Sequence, residues 1–276
     1  MEKEKRIICY DPELKLEAYS FKGVMQKFPN HFHEYYVIGY IESGRRYLSC
    51  KNKEYIVEQG DLVLFNPGEN HTCEQLDGKS LDYRCFNITK EVMGKVVLEI
   101  TGEEYLPNFP EPVLFHNELT ASIKELHLMI MEGYRDFKKE ELFLFIIEQL
   151  IKECEKELEK IFIREESPGV KLVYQYLEHN YMNNISLDEL SEIAAMSKYS
   201  LIRTFIRERG ISPYSCLETI RINQAKKLLE MGIAPLEAAL QTGFTDQSHF
   251  TNFFKKLIGL TPKQYMNIFR EGDKQK

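Results

Sequence analysis

The sequence predicts a mixed architecture, in which an N-terminal β-barrel or sandwich precedes an all-α C-terminal domain with two helix-turn-helix motifs. Three observations predict this fold class. Residues 7–115 consist of short runs of β-forming residues separated by turn residues. At Glu118 the hydrophobic period changes to that of a helix. Farther along the chain, one stretch of sequence occurs twice, with a constant offset of 49 residues between the copies.

Composition limits the class of protein. The 276 residues are 43% hydrophobic and 29% charged, which is typical of a globular chain and excludes a disordered one. No apolar run reaches the ~20 residues that a membrane helix needs. The six cysteines are scattered without a C-x-x-C pair, so neither a zinc knuckle nor a disulfide framework is indicated. We therefore expect a cytoplasmic protein that does not associate with a membrane.

The β-rich region is predicted to form one domain over residues 1–115. Tyr35–Ile41 is rich in strand-forming residues, and Leu62–Phe65 is a second such run that stops at Asn66-Pro67-Gly68. Short strands spaced 8 to 12 residues apart are typical of a β sandwich or barrel.

Residues 116–166 are predicted to be a helical linker. A second helix is expected from about Lys138 to Ile161, and Ser167-Pro168-Gly169 then breaks the chain. The apolar side of these helices is wider than one sheet face needs. That width favours a homodimer interface, and the alternative is a helix pair that only covers the barrel. The first helix shows its period at Leu119, Ile123, Leu126 and Ile130.

Charge is distributed unevenly along the chain. Residues 167–276 carry 14 Lys and Arg against 11 Asp and Glu, a net charge of +3, whereas the whole chain has a net charge of −7. Such an asymmetry fits a domain that faces nucleic acid. A solvated acidic domain beside a neutral one would look similar.

The C-terminal region contains the repeat, and its helix-start and helix-stop residues predict seven helices. The offset of 49 is constant from Leu201 and Phe250 to Pro213 and Pro262. Each copy has a short helix, a tight turn, a capping residue and a second helix. This is the helix-turn-helix plan, in which the second helix enters the major groove of DNA.

The helix between the copies has a suitable length for two adjacent grooves. It is expected to run from Pro213 to Met231, which at 1.5 Å per residue is about 28 Å. Successive major-groove faces on one side of B-DNA are about 34 Å apart. One chain can therefore hold two DNA-reading motifs in neighbouring grooves.

Residues 185–269 resemble the DNA-binding domain of AraC-family transcriptional regulators. Ser191 and Ala238 stand where that family usually has Ala and Ile, at packing positions. Asn252 stands where it often has Arg, which implies a weaker guanine contact by the second motif. The residues that carry the resemblance are Gly243-Phe244, Asp246 to Phe250, Phe254 to Lys256, Thr261-Pro262 and Tyr265.

The resemblance implies a set of DNA contacts. Chemistry supports bidentate pairing of Arg203 with guanine and of Gln247 or Asn252 with adenine, whereas Ile202 reads only thymine methyl groups or DNA shape. Four further cations suit phosphates, although a solvated helix face is the alternative for each: Lys198, Arg207, Lys255 and Lys256. The implied base-facing residues are Tyr199, Ile202 and Arg203 in the first motif, and Gln247, Ser248, His249 and Asn252 in the second.

The pattern His31-x-His33, followed by Gly60-Asp61 and Pro67-Gly68-x-x-His71, resembles an effector-binding barrel of the cupin, jelly-roll type. Metal-binding cupins have a Glu about four residues after the second His, where this chain has Val37. We therefore expect neither a metal nor another cofactor. There are two alternatives: the three His residues hold zinc, or they are purely structural residues at the barrel mouth. The expected effector-binding residues are His31, His33, Tyr35, His71, Tyr83 and Arg84.

No nucleophile–base pair, phosphate loop or paired-carboxylate motif is present in the sequence, so no enzymatic activity is expected. The sequence predicts a homodimeric AraC-family regulator with a DNA-binding domain over residues 167–276. Its partners would be a double-stranded operator, a small-molecule effector and, if it is an activator, RNA polymerase. The alternatives are a metal-dependent cupin enzyme with a helical partner-binding module, and a constitutive regulator with a vestigial barrel.

Overall fold

The computed structural model describes residues 4–135, 137–157 and 167–272; the side chains of Tyr199 and of residues 154–157, 271 and 272 lie outside that description. These residues form two compact units. The first unit contains most of residues 4–157. The second contains residues 167–272 together with the short segments 28–32 and 70–72.

The described residues contain ten strands in two sheets. The first sheet has the order β1-β2-β9-β4-β7-β10 and the second has the order β3-β8-β5-β6. Strand pairing does not join the two sheets within the described residues, so the predicted β-rich domain is present as two open sheets. The strands are β1 Lys5–Asp11, β2 Leu16–Val24, β3 Phe28–His31, β4 Tyr36–Ser43, β5 Arg46–Cys50, β6 Lys53–Val57, β7 Leu62–Phe65, β8 His71–Gln75, β9 Leu81–Ile88 and β10 Val113–Leu114.

Three helices cover one face of the six-stranded sheet: α1 Lys90–Thr101, α2 Leu119–Met131 and α3 Phe137–Glu157. Alternate residues of the central strands, such as Ala18, Ile38 and Phe86, share one buried core with these helices. Ile123 of α2 and Ile147 of α3 are both fully buried there. The wide apolar side of the predicted linker helices is thus largely used within one chain.

Seven helices form the second unit, as the sequence predicts, within residues 167–272. Its core contains Val173, Leu201, Phe205 and Ile220 among other residues. In the described part of the chain, no helix has the length and apolar character required to cross a membrane. The helices are α4 Pro168–Asn180, α5 Leu187–Ala194, α6 Lys198–Arg209, α7 Pro213–Glu230, α8 Pro235–Gln241, α9 Gln247–Ile258 and α10 Pro262–Gly272.

Candidate functional site: two helix-turn-helix motifs

The first motif consists of α5, a short turn and α6. Ser186 begins α5 with a capping box that it shares with Glu189. Ala195 ends the helix in the left-handed conformation, with φ +51°. Ser197 then begins α6, where its hydroxyl accepts a hydrogen bond from the amide of Ser200 at 3.2 Å. The predicted turn between two capped helices is present.

The second motif consists of α8, a turn and α9. Gly243 has φ +83°, and a Cβ at this position would lie 2.8 Å from the carbonyl oxygen of Tyr181. Asp246 begins α9, where its carboxylate accepts hydrogen bonds from the amides of Ser248 and His249, each at 3.0 Å. These two bonds favour the ionised carboxylate and lower the pKa of Asp246.

The inward faces of both second helices are fully buried. Leu201 and Phe205 of α6 have no exposed surface, and the same holds for Phe250 and Phe254 of α9. These four residues therefore belong to the core. Because the buried residues fix the rotation of each helix about its axis, they also determine which residues face outward.

The outward face of α6 is polar. Arg203 and Arg207 line an open groove of about 470 Å³ with Ser200 and Thr204. The four residues follow the i, i+3, i+4, i+7 spacing of one helix face. That spacing is visible in the sequence, yet Ser200 and Thr204 are not among the predicted contacts. Ile202 is half-buried, and the side chain of Tyr199 lies outside the described residues.

The outward face of α9 exposes Gln247, Ser248 and Asn252. His249 is also exposed, but its Nε2 lies 3.2 Å from a carboxylate oxygen of Glu218 on α7. The side chain of Glu218 is only 9% exposed, and burial raises its pKa although the charge of His249 opposes that shift. Nothing in the local pattern around Glu218 signals this pairing, because it joins residues 31 positions apart.

The four predicted phosphate contacts differ in their surroundings. Lys198 forms a salt bridge with Asp188, and Arg207 forms one with Glu208 at 3.0 Å. Phosphate must compete with these acidic partners. Lys255 and Lys256 are exposed in the last turn of α9.

Two of the predicted effector-binding residues are brought together. The ring centroids of His31 and His71 lie 4.4 Å apart. His31 Nδ1 lies 2.6 Å from the carbonyl oxygen of Pro29, and burial lowers the pKa of His31 to about 4, so its ring is neutral near pH 7. The rings of His33 and Tyr35 stack with centroids 4.9 Å apart.

Tyr83 and Arg84 lie on opposite faces of the six-stranded sheet, because side chains alternate along β9. The Tyr83 ring fills the space that a side chain at Gly39 would occupy. Burial and then the neighbouring Cys85 raise the pKa of Tyr83. Arg84 is on the face that carries the helices, where its Nε donates to Glu42 at 2.6 Å. The six predicted effector-binding residues therefore do not line one surface.

Two family models match the chain. Residues 13–146 match the model described as AraC-like ligand binding domain. Residues 190–268 match the model described as helix-turn-helix domain.

Curated relatives are regulators of transcription. The chain is 55% identical to the uncharacterised HTH-type transcriptional regulator YbfI of Bacillus subtilis, over 90% of both chains. It is 22% identical to the HTH-type transcriptional activator RhaS of Pectobacterium carotovorum, over 86% of both. These relatives do not support the alternative of a metal-dependent cupin enzyme.

The fold is similar to that of ToxT from Vibrio cholerae. One ToxT structure superposes with a TM-score of 0.57 and 17% identity, covering 92% of this chain and 98% of ToxT. Another ToxT structure, with a TM-score of 0.54, has an unsaturated fatty acid bound. At this level of identity the likeness concerns the fold alone.

Proposed function

Because the chain belongs to the AraC family of DNA-binding transcriptional regulators, we propose that α6 and α9 read the base pairs of its operator. The observation that carries this proposal is the contrast between the two faces of each helix. The inward face is fully buried, whereas the outward face is exposed and mainly polar, with Ile206 as an exposed apolar residue on α6. The outward residues Arg203, Gln247 and Asn252 have the donors and acceptors that read base edges in the major groove.

The remaining contacts position the protein on the duplex. Lys255 and Lys256 contact phosphates, and Lys198 and Arg207 do so once phosphate displaces their acidic partners. Tyr199, Ile202 and Ser248 complete the base-facing set. His249 is held by Glu218, so it contributes to the shape of the second motif as much as to base contact.

A small molecule bound in the N-terminal domain controls this DNA binding. The fatty acid in ToxT supports an effector site in a related fold, although it does not set the chemical class of the effector here. His31, His33, Tyr35, His71 and Tyr83 remain the proposed effector-binding residues. Control requires that the effector binds two conformations of the protein with different affinities.

The protein acts in the cytoplasm, since its operator is chromosomal DNA. It acts there as a homodimer. Although most of the apolar side of α2 and α3 is buried, Phe137 is 75% exposed and Phe145 is 44% exposed on α3. These two rings supply the dimer interface. RNA polymerase is a further partner if this protein, like RhaS, is an activator.

The test compares a base-reading residue with a phosphate-contacting one, on an operator selected from random duplexes and on a scrambled duplex. Arg203→Ala should cost about 1–3 kcal/mol on the operator and relax the preference at one base pair. Lys256→Ala should weaken binding to both duplexes equally and reduce the salt slope by about one.

Lys171→Ala, at an exposed lysine of α4 outside both motifs, is the matched control and should bind as the wild type does. If Arg203→Ala weakens binding to both duplexes equally, Arg203 contacts phosphate and the assignment of the reading face of α6 is wrong.

A further inference from the structure

The first unit contains a cavity of about 330 Å³ between the six-stranded sheet and α2. It lies on the sheet face that carries the helices, so it is separate from the space between the two sheets. Its volume is within the range of small-molecule sites. Of the six residues that the sequence predicts for effector binding, Arg84 alone lines it, and Arg84 is not among the five that remain proposed.

The floor of the cavity is a row of four residues that lie side by side across four strands. Ile7 is opposite Ser20, Ser20 is opposite Arg84, and Arg84 is opposite Tyr40. Because directly opposed residues point to the same face of a sheet, the row forms a continuous surface. Arg84 donates hydrogen bonds within it to Ser20 and to Glu42.

The roof of the cavity is one face of α2. Lys124, His127, Leu128 and Met131 follow the i, i+3, i+4, i+7 spacing and all line the cavity. His127 fixes the roof to the sheet, because its Nε2 lies 2.9 Å from the carbonyl oxygen of Tyr19. Burial lowers the pKa of His127 to about 4, so the ring adds no charge near pH 7.

Cations outnumber acids in the lining. Glu42 is the one acid among the lining residues, against Lys5, Lys22, Arg84 and Lys124. It is already shared between Arg84, at 2.5 Å, and Lys124, at 3.5 Å.

The two lysines at the edge of the sheet reinforce this excess of positive charge. Lys5 lies directly opposite Lys22 in the register of β1 and β2. Like charges at opposed positions repel each other, and an anion between them removes that repulsion.

We propose that this cavity binds a small organic anion, with a carboxylate or sulfonate head group and an apolar body. Lys5, Lys22 and Lys124 attract the head group, while Ile7, Leu128 and Met131 contact the apolar body. The site goes beyond the proposed effector pocket, since it lies on the other face of the sheet. A bound anion contacts both the sheet and α2, so it links the strands to a helix of the predicted dimerisation segment.

A pair of matched dyes tests the site in the full-length protein. The probe is 8-anilinonaphthalene-1-sulfonate, and its uncharged counterpart is N-phenyl-1-naphthylamine, which has the same rings without the sulfonate. Fluorescence titration should give saturable binding of the sulfonate at about one molecule per chain. Sodium benzoate should displace it, because a carboxylate presents the same charge. Failure of the sulfonate to bind would overturn the proposal.

Reversing one charge on α2 and, separately, one at the edge of the sheet tests whether the sulfonate dye binds in the cavity. Lys124→Glu and, separately, Lys5→Glu should each lower the affinity for the sulfonate at least tenfold and change that for the uncharged dye less than twofold. Both lysines are exposed, so folding, checked by circular dichroism, should be kept. Lys90→Glu on α1, also exposed and outside the lining, should leave both affinities unchanged.

Equal affinity for the sulfonate in the wild type and both cavity variants would place the dye elsewhere and contradict the proposal. Operator binding is measured separately with Arg203→Ala. If the cavity does not bind the anion, the proposal that α6 and α9 read DNA is unaffected. If Arg203→Ala contradicts the proposal for α6, the proposal of an anion site in the cavity is unaffected.

Discussion

At the scale of single residues, the two helix-turn-helix motifs differ in how they form the left-handed residue of the turn. Ala195 takes this conformation in the first motif and Gly243 in the second. For a residue with a Cβ the left-handed conformation costs about 1–2 kcal/mol, whereas glycine adopts it freely. The first turn therefore contains strain that the second lacks.

Exchanging the two residue types should change stability in opposite directions. Ala195→Gly should raise the free energy of unfolding by about 1 kcal/mol, since it removes that strain. Gly243→Ala should lower it by more, because the added Cβ also lies within 3 Å of the carbonyl oxygens of Tyr181 and Met182. Urea denaturation of both variants measures the two effects, and a stabilised Gly243→Ala would contradict them.

Some single-residue features of the site can be predicted from the sequence and others cannot. The caps Ser186, Ser197 and Asp246 are recognisable from residue type and spacing alone, and each makes the expected bond. The contact between His249 and Glu218 was not predictable in this way. It depends on how α9 packs against α7, which no local pattern encodes.

At the scale of elements, α2 combines packing with a buried titratable group. His127 is 4% exposed, and its ring contacts the rings of Tyr40 and Phe86. Its pKa falls from 6.5 to about 4 because burial disfavours the charged ring. The folded chain therefore holds this residue neutral at pH values where the unfolded chain protonates it.

This shift predicts a pH dependence of stability. The contribution of the neutral His127 ring to the free energy of unfolding is fully present above pH 6.5. It is lost as the pH falls from 6.5 to about 4, because the unfolded state binds the proton more tightly than the folded state does. The loss is at most about 3 kcal/mol. His127→Gln, which keeps a donor for Tyr19, should show a smaller loss of unfolding free energy between pH 7 and pH 4.5 than the wild type.

His179→Gln on α4 is the control, since the His179 side chain is exposed. This variant should follow the wild-type pH profile of unfolding free energy. Equal pH profiles for His127→Gln and the wild type would show that burial of His127 does not destabilise its charged form.

Most elements were predictable from the sequence, but α1 at Lys90–Thr101 was not, since it lies within residues 7–115, where the pattern predicts strands only. The strand runs, the helical period after Glu118 and the seven C-terminal helices follow from spacing and turn residues. The pairing of two strands that are distant in sequence does not follow from spacing and turn residues. That pairing decides which elements pack against each face of β9. The separation of Tyr83 from Arg84 needs no knowledge of pairing, because consecutive residues of β9 point to opposite faces of the sheet.

At the scale of the whole molecule, the predicted homodimer depends on what α2 and α3 leave exposed. Their apolar side is wider than one sheet face needs, and the sequence does not reveal how much of it the six-stranded sheet and α1 cover. Phe137 and Phe145 remain outside that core.

Replacing the two exposed rings should therefore separate the protomers. The wild type should sediment as a dimer at micromolar concentration, and the double variant Phe137→Ser/Phe145→Ser as a monomer. Leu236→Ser removes a comparably exposed apolar residue from α8 and should leave the dimer intact. A wild type that sediments as a monomer, with or without DNA, would contradict the prediction.

The connecting helix α7 has a consequence for the architecture of the operator. It has 18 residues, which at 1.5 Å per residue is about 27 Å, and buried residues lie on most of its sides. A packed helix neither stretches nor twists easily, so the distance between α6 and α9, the two helices proposed to read DNA, is fixed. One turn of B-DNA has about 10.5 base pairs, so a single inserted base pair turns the second half of the site by about 34°. The operator should therefore tolerate substitutions between its two recognised segments but not insertions or deletions there.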